Sequence, residues 1–392
     1  MRARFAAWPT GVLVIGFSVA GLLSAGATNE IGSPKLAQAC VWRTAASQDP
    51  HRSLYDRFDS VAAVSPREAW AVGNYFTGHE GGPNGAFVAR WNGRRWRVAA
   101  APIPRGAILS SVAASGTGDV WAVGWRPHNA GTLIEHWDGL RWHIVAAAFP
   151  PGGILNGVVA LTPHDAWAVG TYFGHRAVTL IEHWDGRRWT VTPSPRPHLA
   201  PGRRPYAVLQ AVTAISPTDV WAVGYSGTEI PATSRTLTEH WDGRRWTIVP
   251  SPNVRSPRSV TNNILFSISG SRRDNLWAVG SWGSVAGGYG GKGDHALTLH
   301  WDGRRWSRIA VPALGERALL SGVAARARQG WAVGDRGPQP HPQTLIERWD
   351  GARWSVFNSP GGSGFSATSI ELSGRGAWAV GANGRKPLAA RC

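Results

Sequence analysis

Apolar residues occur along the chain in short stretches that are separated by turn-forming glycine, proline and aspartate. In one part of the sequence these stretches cover residues 155–161, 166–170, 179–184 and 187–192. Stretches of this length between turn signals are typical of β-strands. Nothing after residue 40 has the spacing of a helix. The pattern therefore predicts groups of four consecutive antiparallel strands in an all-β protein.

The four-strand group is repeated seven times, and two motifs mark the copies. Trp-Ala-Val-Gly begins at Trp70, Trp121, Trp167, Trp221, Trp277, Trp331 and Trp378. Trp-Asp/Asn-Gly-x-Arg-Trp begins at Trp91, Trp137, Trp184, Trp241, Trp301 and Trp349. Successive copies are 46 to 56 residues apart, a period that indicates a solenoid or a propeller. Four strands per copy, short turns and no helix predict a β-propeller of seven four-stranded blades.

The repeated residues are predicted to pack the blades. With a two-residue Asp-Gly turn, Trp184 is expected opposite Arg187, where the two stack as a cation–π pair. Glu182 is expected opposite Trp189 on the same face. In Trp-Ala-Val-Gly, the small residues admit the neighbouring blade and the tryptophan fills the wedge between blades. Residue types that recur in six copies do not mark a single catalytic centre.

The two ends of the chain are predicted to complete one blade together. The seventh copy has strands over residues 365–372, 377–381 and 387–392 and lacks a fourth. Residues 40–46 match the fourth-strand pattern, with Trp42 at the position of its tryptophan. Pairing these segments removes an open sheet edge.

Both cysteines of the chain fall at this closure. Cys392 aligns with the last tryptophan of a third strand, and Cys40 aligns with the arginine expected opposite it. In an exported protein, two cysteines so placed are expected to form a disulfide. The propeller is thus expected to span residues 40–392, with residues 40–48 and 363–392 forming the closing blade.

The first residues have the pattern of a secretory signal. Two arginines and an apolar stretch over residues 11–23 precede a small-x-small cleavage pattern that ends at Ala27. We expect residues 1–27 to be a cleaved signal peptide and residues 28–39 a linker, with an uncleaved membrane anchor as the alternative. The mature protein is expected to be secreted or at the cell surface.

The chain is strongly basic, with a formal charge of +17. At least ten arginines lie in the Asp/Asn-Gly hairpins. A basic surface attracts polyanions, so one hypothesis is a basic ring that binds cell-wall or other polyanions. Nucleic acid is not expected as the partner of an exported protein.

The repeat resembles those of known propeller families. Trp-Ala-Val-Gly, an aspartate before a turn, a tryptophan and Pro-Ser-Pro are similar to a kelch-type repeat, although one glycine stands where kelch repeats have two. The Asp-Gly-x-x-Trp hairpin resembles the Asp-box turn of sialidase-type and sortilin-type propellers, with a different spacing. The overall pattern is similar to exported bacterial propellers of mostly unknown function. The resemblance implies the fold, whereas the same architecture hosts both enzymes and binders.

The sequence contains no convincing enzyme constellation. Both cysteines lie at the closure, whereas a copper site like that of galactose oxidase needs one beside the metal. Carboxylates are sparse, and His-x-x-x-His and Cys-x-x-Cys spacings are absent. The glycine-rich residues 287–291 follow no strand–helix pattern of a phosphate loop. We therefore expect no catalytic residue, metal or cofactor.

The loops between second and third strands differ between copies, whereas the turns on the opposite face are uniform. Variable aromatic loops favour recognition, although the same residues also suit simple packing of the loops. The candidate ligand-binding residues are Tyr75, Phe76, His79, Trp125, His128, Tyr172, Phe173, His175, Tyr225, Trp282, Tyr289, His295 and His341. We predict a monomeric, non-catalytic binding module that recognises a glycan or a protein through this variable-loop face. The alternatives are an extracellular polysaccharide hydrolase or lyase, and a polyanion-binding surface protein.

Overall fold

The strands of the described chain all belong to four-stranded antiparallel sheets. The computed structural model describes residues 41–45, 47, 55–77, 85–128, 130–148, 151–197, 205–228, 233–255, 261–284, 294–312, 314–315, 317–326, 329–337, 343–357, 365–374, 376–384 and 386–392. These residues form 28 strands in seven sheets of four. The predicted seven-bladed, all-β propeller is therefore confirmed. No helix in the described ranges is long and apolar enough to cross a membrane.

Each of the first six blades is made from four strands that are consecutive in the chain. They are β2 (Tyr55–Ser65), β3 (Glu68–Phe76), β4 (Gly85–Trp91) and β5 (Trp96–Ala99); β6 (Ile108–Gly116), β7 (Asp119–Arg126), β8 (Gly131–Trp137) and β9 (Trp142–Ile144); β10 (Gly153–Thr162), β11 (Asp165–Phe173), β12 (Ala177–Trp184) and β13 (Trp189–Val191); β14 (Pro205–Ser216), β15 (Asp219–Thr228), β16 (Thr233–Trp241) and β17 (Trp246–Ile248); β18 (Thr261–Arg272), β19 (Asn275–Ser284), β20 (His295–Trp301) and β21 (Trp306–Arg308); β22 (Ala318–Arg326), β23 (Gln329–Arg336), β24 (Gln343–Trp349) and β25 (Trp354–Phe357). The first strand of every blade lines one axial channel.

The seventh blade joins the two ends of the chain, as the sequence predicts. It contains β26 (Phe365–Ser373), β27 (Gly376–Asn383), β28 (Lys386–Arg391) and β1 (Arg43–Ala45), and β1 is hydrogen-bonded to β28. Arg43 pairs with Arg391. Trp42 precedes this strand and is 7 % exposed. The predicted first and last segments therefore form one sheet.

The tryptophans of the Trp-Ala-Val-Gly motif fill the wedges between blades. Trp221 is 2 % exposed, and its ring lies 5.7 Å from Trp306 and 4.8 Å from Trp301, both in the next blade. Similar edge-on contacts across blades join Trp70 to Trp142, Trp121 to Trp189, Trp167 to Trp246, Trp277 to Trp354, Trp331 to Trp42 and Trp378 to Trp96. Burial of large aromatic rings is a major stabilising contribution in a core, and here it couples each blade to its neighbour.

The register predicted for the hairpins is wrong by two residues. Trp184 pairs with Trp189, not Arg187. The connection has four residues because the Asp185 carboxylate accepts the backbone N–H groups of Arg187 at 2.8 Å and Arg188 at 2.9 Å. Arg187 is therefore exposed in the turn and does not stack on Trp184 as predicted.

The corrected register also moves the alignment of the cysteines. Continuing the Arg43–Arg391 pairing places Cys392 opposite Trp42, whereas the sequence analysis placed it opposite Cys40. Cys40 lies outside the described residues, and the disulfide between the two cysteines stays a prediction.

Arginine does stack on tryptophan in three blades, but from a different position. The guanidinium of Arg90 lies 5.1 Å from the Trp70 ring, that of Arg348 lies 5.6 Å from Trp331, and that of Arg391 lies 5.8 Å from Trp378. In four other blades a histidine takes this place and stacks on the same tryptophan, as His183 does on Trp167 at 4.1 Å. The arginines thus make cation–π contacts and the histidines make aromatic ring contacts, and both pack against the blade tryptophans.

Four glutamates of the third strands are fully buried. Glu182 accepts the Ala148 N–H at 3.0 Å, and Glu239 accepts the Ser194 hydroxyl at 2.9 Å. These donors follow the last strand of the preceding blade. Glu182 was expected opposite Trp189 but pairs with Val191. Burial raises the pKa of Glu239 to about 8 and raises the pKa values of the other three to about 7; the full set is Glu135, Glu182, Glu239 and Glu347.

Candidate functional site

The predicted ligand-binding residues that the structure describes lie at one face of the propeller. They stand where second strands end and third strands begin, and the ends of second strands pair with the starts of the innermost strands, as Phe76 does with Tyr55. His79, Tyr289 and His341 lie outside the described residues. The structure describes the remaining ten, which are Tyr75, Phe76, Trp125, His128, Tyr172, Phe173, His175, Tyr225, Trp282 and His295.

About half of these residues pack against their neighbours. Trp282 stacks on His295 with ring centroids 4.4 Å apart. Tyr225 meets Tyr206 edge-on at 6.0 Å, and Phe76 lies 6.2 Å from Tyr55. Tyr75 packs against the core of its own blade. These contacts correspond to the alternative role of these residues, which is to pack the loops.

Tyr172 and His175 instead line a cavity of about 410 Å³ between blades three and four. The same cavity is lined by Arg176, Arg196 and Tyr206. None of its described lining residues carries a carboxylate. Its volume lies within the range of about 300–1,000 Å³ that is usual for binding sites of small molecules or side chains.

Trp125, His128 and Phe173 line a second cavity, of about 330 Å³, between blades two and three. Arg126 also lines it, and the part of the wall that the structure describes again has no carboxylate. Phe173 is 51 % exposed and follows Tyr172 of the first cavity in the chain. We call the two cavities together the aromatic–arginine surface; its members are Trp125, Arg126, His128, Tyr172, Phe173, His175, Arg176, Arg196 and Tyr206.

A third feature, which the sequence analysis missed, encircles the axial channel. The innermost strand of every blade has a bulge at which one residue is left out of the pairing with the second strand. We call these seven residues the axial ring: Asp59, Ser110, Asn156, Gln210, Phe266, Ser321 and Thr368. All seven line a cavity of about 420 Å³. Bulges commonly redirect a side chain in this way.

The charge within the axial ring is balanced locally. The Asp59 carboxylate lies 2.7 Å from Arg57 and accepts a hydrogen bond from Asn74 at 2.6 Å. Burial raises the pKa of Asp59, and the Arg57 guanidinium opposes that rise. The channel carries one other carboxylate among its described lining residues, Glu371, which lies three residues beyond the ring along its strand. The described channel thus places no two carboxylates at one level.

The opposite face carries the uniform hairpins and their exposed arginines. Backbone N–H groups of Arg188 and Arg187 lower the pKa of Asp185, and the same arrangement recurs at Asp242, Asp302 and Asp350. Nearby histidines bind aspartates of the same blade. No group of three or more potential metal ligands occurs in the ranges that the structure describes.

The fold defines the class of this protein as a seven-bladed β-propeller. No protein-family model and no curated protein matches the chain. It is similar to the solved structure of YCF48 bound to D1 peptide, with a TM-score of 0.53 and 14 % identity over 89 % of this chain and 96 % of that one. YCF48 from Cyanidioschyzon merolae gives 0.53 and 15 % over 89 % and 98 % of the two chains.

A further similar structure is the propeller domain of the trilobed protease from Pyrococcus furiosus. Its TM-score is 0.51, with 9 % identity over 85 % of this chain and 94 % of that one. These similarities show the fold alone. The kelch-type character of the repeat stays a resemblance.

Proposed function

We propose that this protein is a non-catalytic binding module that captures an acidic, partly aromatic peptide segment of another protein on the aromatic–arginine surface. One observation carries the proposal. Two adjoining cavities are lined by aromatic rings and by Arg126, Arg176 and Arg196, and the described lining contains no carboxylate. Aromatic side chains and arginine are the residue types that most often dominate the energetics of protein interfaces.

The composition of this surface favours a peptide over a neutral glycan. Arginine forks bind carboxylates in a bidentate manner, and clusters of arginine are a common means of recognising acidic motifs. The larger cavity also has an apolar rim, since Val178 is 40 % exposed. The YCF48 structure with its bound peptide supports the proposal in one respect, because it shows that a propeller can hold a peptide.

Loss of the surface arginines should weaken peptide binding. The probe is an acidic peptide containing phenylalanine or tyrosine, selected by display against the full-chain protein. The double variant Arg176→Ala/Arg196→Ala should raise its Kd at least roughly tenfold, equivalent to about 1.4 kcal/mol, and binding should weaken with added salt. Fluorescence anisotropy at low and high salt measures both effects.

The matched control is Arg187→Ala/Arg188→Ala, which removes two exposed arginines from the hairpin face. The control should bind within twofold of the unchanged protein. The reverse result, with the hairpin variant failing and the surface variant binding normally, would support the basic-ring alternative. If no display selection yields a peptide but a glycan array gives binding, the glycan alternative replaces the proposal.

We further propose that the protein is exported, that cleavage follows Ala27, and that Cys40 and Cys392 are bonded. The motivation is the leader pattern and the pairing of β1 with β28. Intact mass of the secreted protein should correspond to residues 28–392 and should rise by two hydrogens on reduction. The Cys392→Ser variant should show no such rise. A full-length mass would contradict the cleavage after Ala27. Equal masses with and without reductant would contradict the bond between Cys40 and Cys392.

A further inference from the structure

Several polar groups of the axial ring have no hydrogen-bond partner among the residues that the structure describes. Ser110, Gln210 and Ser321 make no hydrogen bond with any residue that the structure describes, and all three are half-buried. Asn156 also lines the cavity and donates through Nδ2 to the Leu209 carbonyl at 2.8 Å. Half-buried hydroxyl and amide groups of this kind are satisfied by water or by a ligand.

Phe266 is the exception among these polar residues. It is half-buried and lines the channel, yet it belongs to none of the seven hydrophobic clusters that the described residues form. The core therefore does not account for it. An aromatic side chain that lines a polar cavity can provide a stacking surface for a ligand ring that has one apolar side.

The ring does not favour a charged ligand. The charged residues lining this cavity are Arg57 and Asp59, and these two neutralise each other at 2.7 Å. Hydrogen-bond donors and acceptors around one aromatic face suit a molecule that carries many hydroxyl groups and no net charge.

We infer that the axial ring is a second binding site, which takes one neutral pyranose unit at the mouth of the channel. Phe266 stacks on the apolar face of the sugar, and Gln210, Ser110, Ser321 and Asn156 bind its hydroxyl groups. The cavity of about 420 Å³ is large enough for a ligand of this class. This site shares no residue with the aromatic–arginine surface, so it stands independently of the proposed peptide binding.

The test titrates the full-chain protein with glucose, galactose, mannose and N-acetylglucosamine, and with glucuronate and glucosamine as charged counterparts. Isothermal calorimetry or protein-observed NMR should give a Kd of roughly 1 mM for at least one neutral sugar. Phe266→Ala should raise that Kd about tenfold or more, Gln210→Ala should weaken it severalfold, and Phe266→Tyr should retain binding.

Phe173→Ala is the matched control, because it removes an exposed aromatic ring outside the channel. It should leave sugar binding unchanged and weaken peptide binding, whereas Phe266→Ala should do the reverse. The proposed sugar binding and the proposed peptide binding can therefore be refuted independently of each other. The inference is overturned if no neutral sugar binds at about 10 mM, if charged sugars bind as well as neutral ones, or if a folded Phe266→Ala protein binds normally.

Discussion

Replacing Trp42 by alanine will lower the free energy of unfolding by about 3–5 kcal/mol, the usual cost of removing a large buried aromatic side chain. Trp42 is 7 % exposed and meets Trp331 edge-on at 5.5 Å. It thus makes, from the beginning of the chain, the contact that a fourth-strand tryptophan makes in other blades. The loss will weaken both the last wedge and the pairing of β1 with β28. Urea denaturation, monitored by tryptophan fluorescence and circular dichroism, measures the change in the free energy of unfolding.

Val41→Ala is the matched control for this result. Val41 precedes Trp42 and is 62 % exposed, so its truncation should change stability by no more than about 0.5 kcal/mol. Trp246→Ala, which removes an equivalent tryptophan from a blade built of consecutive strands, should cost about as much as Trp42→Ala. If Trp42→Ala behaved like Val41→Ala, the N-terminal strand would not contribute to closing the ring.

The propeller will be less stable at pH 8 than at pH 5, and the four buried glutamates will cause most of the difference. Their folded-state pKa values of about 7 to 8 lie above the ordinary value of 4.5. Folding therefore favours the protonated carboxyl groups. The resulting contribution to the free energy of unfolding is fully present below the pKa of the glutamates in the unfolded chain. It is lost as the pH rises through their pKa in the folded protein. Burial also raises the pKa of Glu371 to about 7 and that of Asp335 to about 6, which adds to the loss, whereas His300, whose pKa burial lowers, acts in the opposite direction.

Glu239→Gln tests this dependence at the glutamate with the highest pKa. A shift of one pKa unit corresponds to about 1.4 kcal/mol. In this variant the decrease in the free energy of unfolding between pH 5 and pH 8 should therefore be smaller by on the order of 2–4 kcal/mol. The fourfold variant should flatten the profile further. Denaturant unfolding at several pH values between 5 and 8 measures how the free energy of unfolding depends on pH.

Asp185→Asn provides the control for the pH experiment. Asp185 is exposed, and backbone N–H groups lower its pKa; asparagine already fills the same role at Asn92, where it accepts the N–H groups of Arg94 and Arg95 at 3.1 Å. Its replacement should leave the slope between pH 5 and pH 8 unchanged. An equal slope in the unchanged protein and the fourfold glutamine variant would show that these glutamates titrate normally.

The sequence predicts the blades and their closure because both depend on patterns that recur within one repeat. The strand order follows from the spacing of turns, and Trp42 was identified by its place in an incomplete copy. The hairpin register was wrong because a local motif, Asp-Gly, was taken to define the turn. The Asp185 side chain instead binds two backbone N–H groups and lengthens the turn to four residues.

The candidate sites were harder to predict because they combine residues that are far apart in the chain. Tyr172 and Tyr206 line one cavity although two whole strands, β12 and β13, and the loops around them separate the two residues in the chain. The axial ring did leave a signal, since each innermost strand has one variable residue inside an otherwise regular apolar–x–small–Val/Ile pattern. The meaning of this pattern becomes clear only in the structure, where the variable residue falls at a bulge and lines the channel.

The way β1 pairs with β28 also determines how the molecule will respond to mechanical force. The two strands are antiparallel, and Arg43 near the start of one pairs with Arg391 at the end of the other. A pull applied to the two chain ends therefore acts at the same end of this strand pair and opens its hydrogen bonds one after another, as in unzipping, rather than shearing them together. Once the proposed Cys40–Cys392 bond is reduced, the three-residue β1 will separate at low force and the ring will open first at its seventh blade. With that bond intact, the force will pass through the disulfide and this strand pair will stay closed.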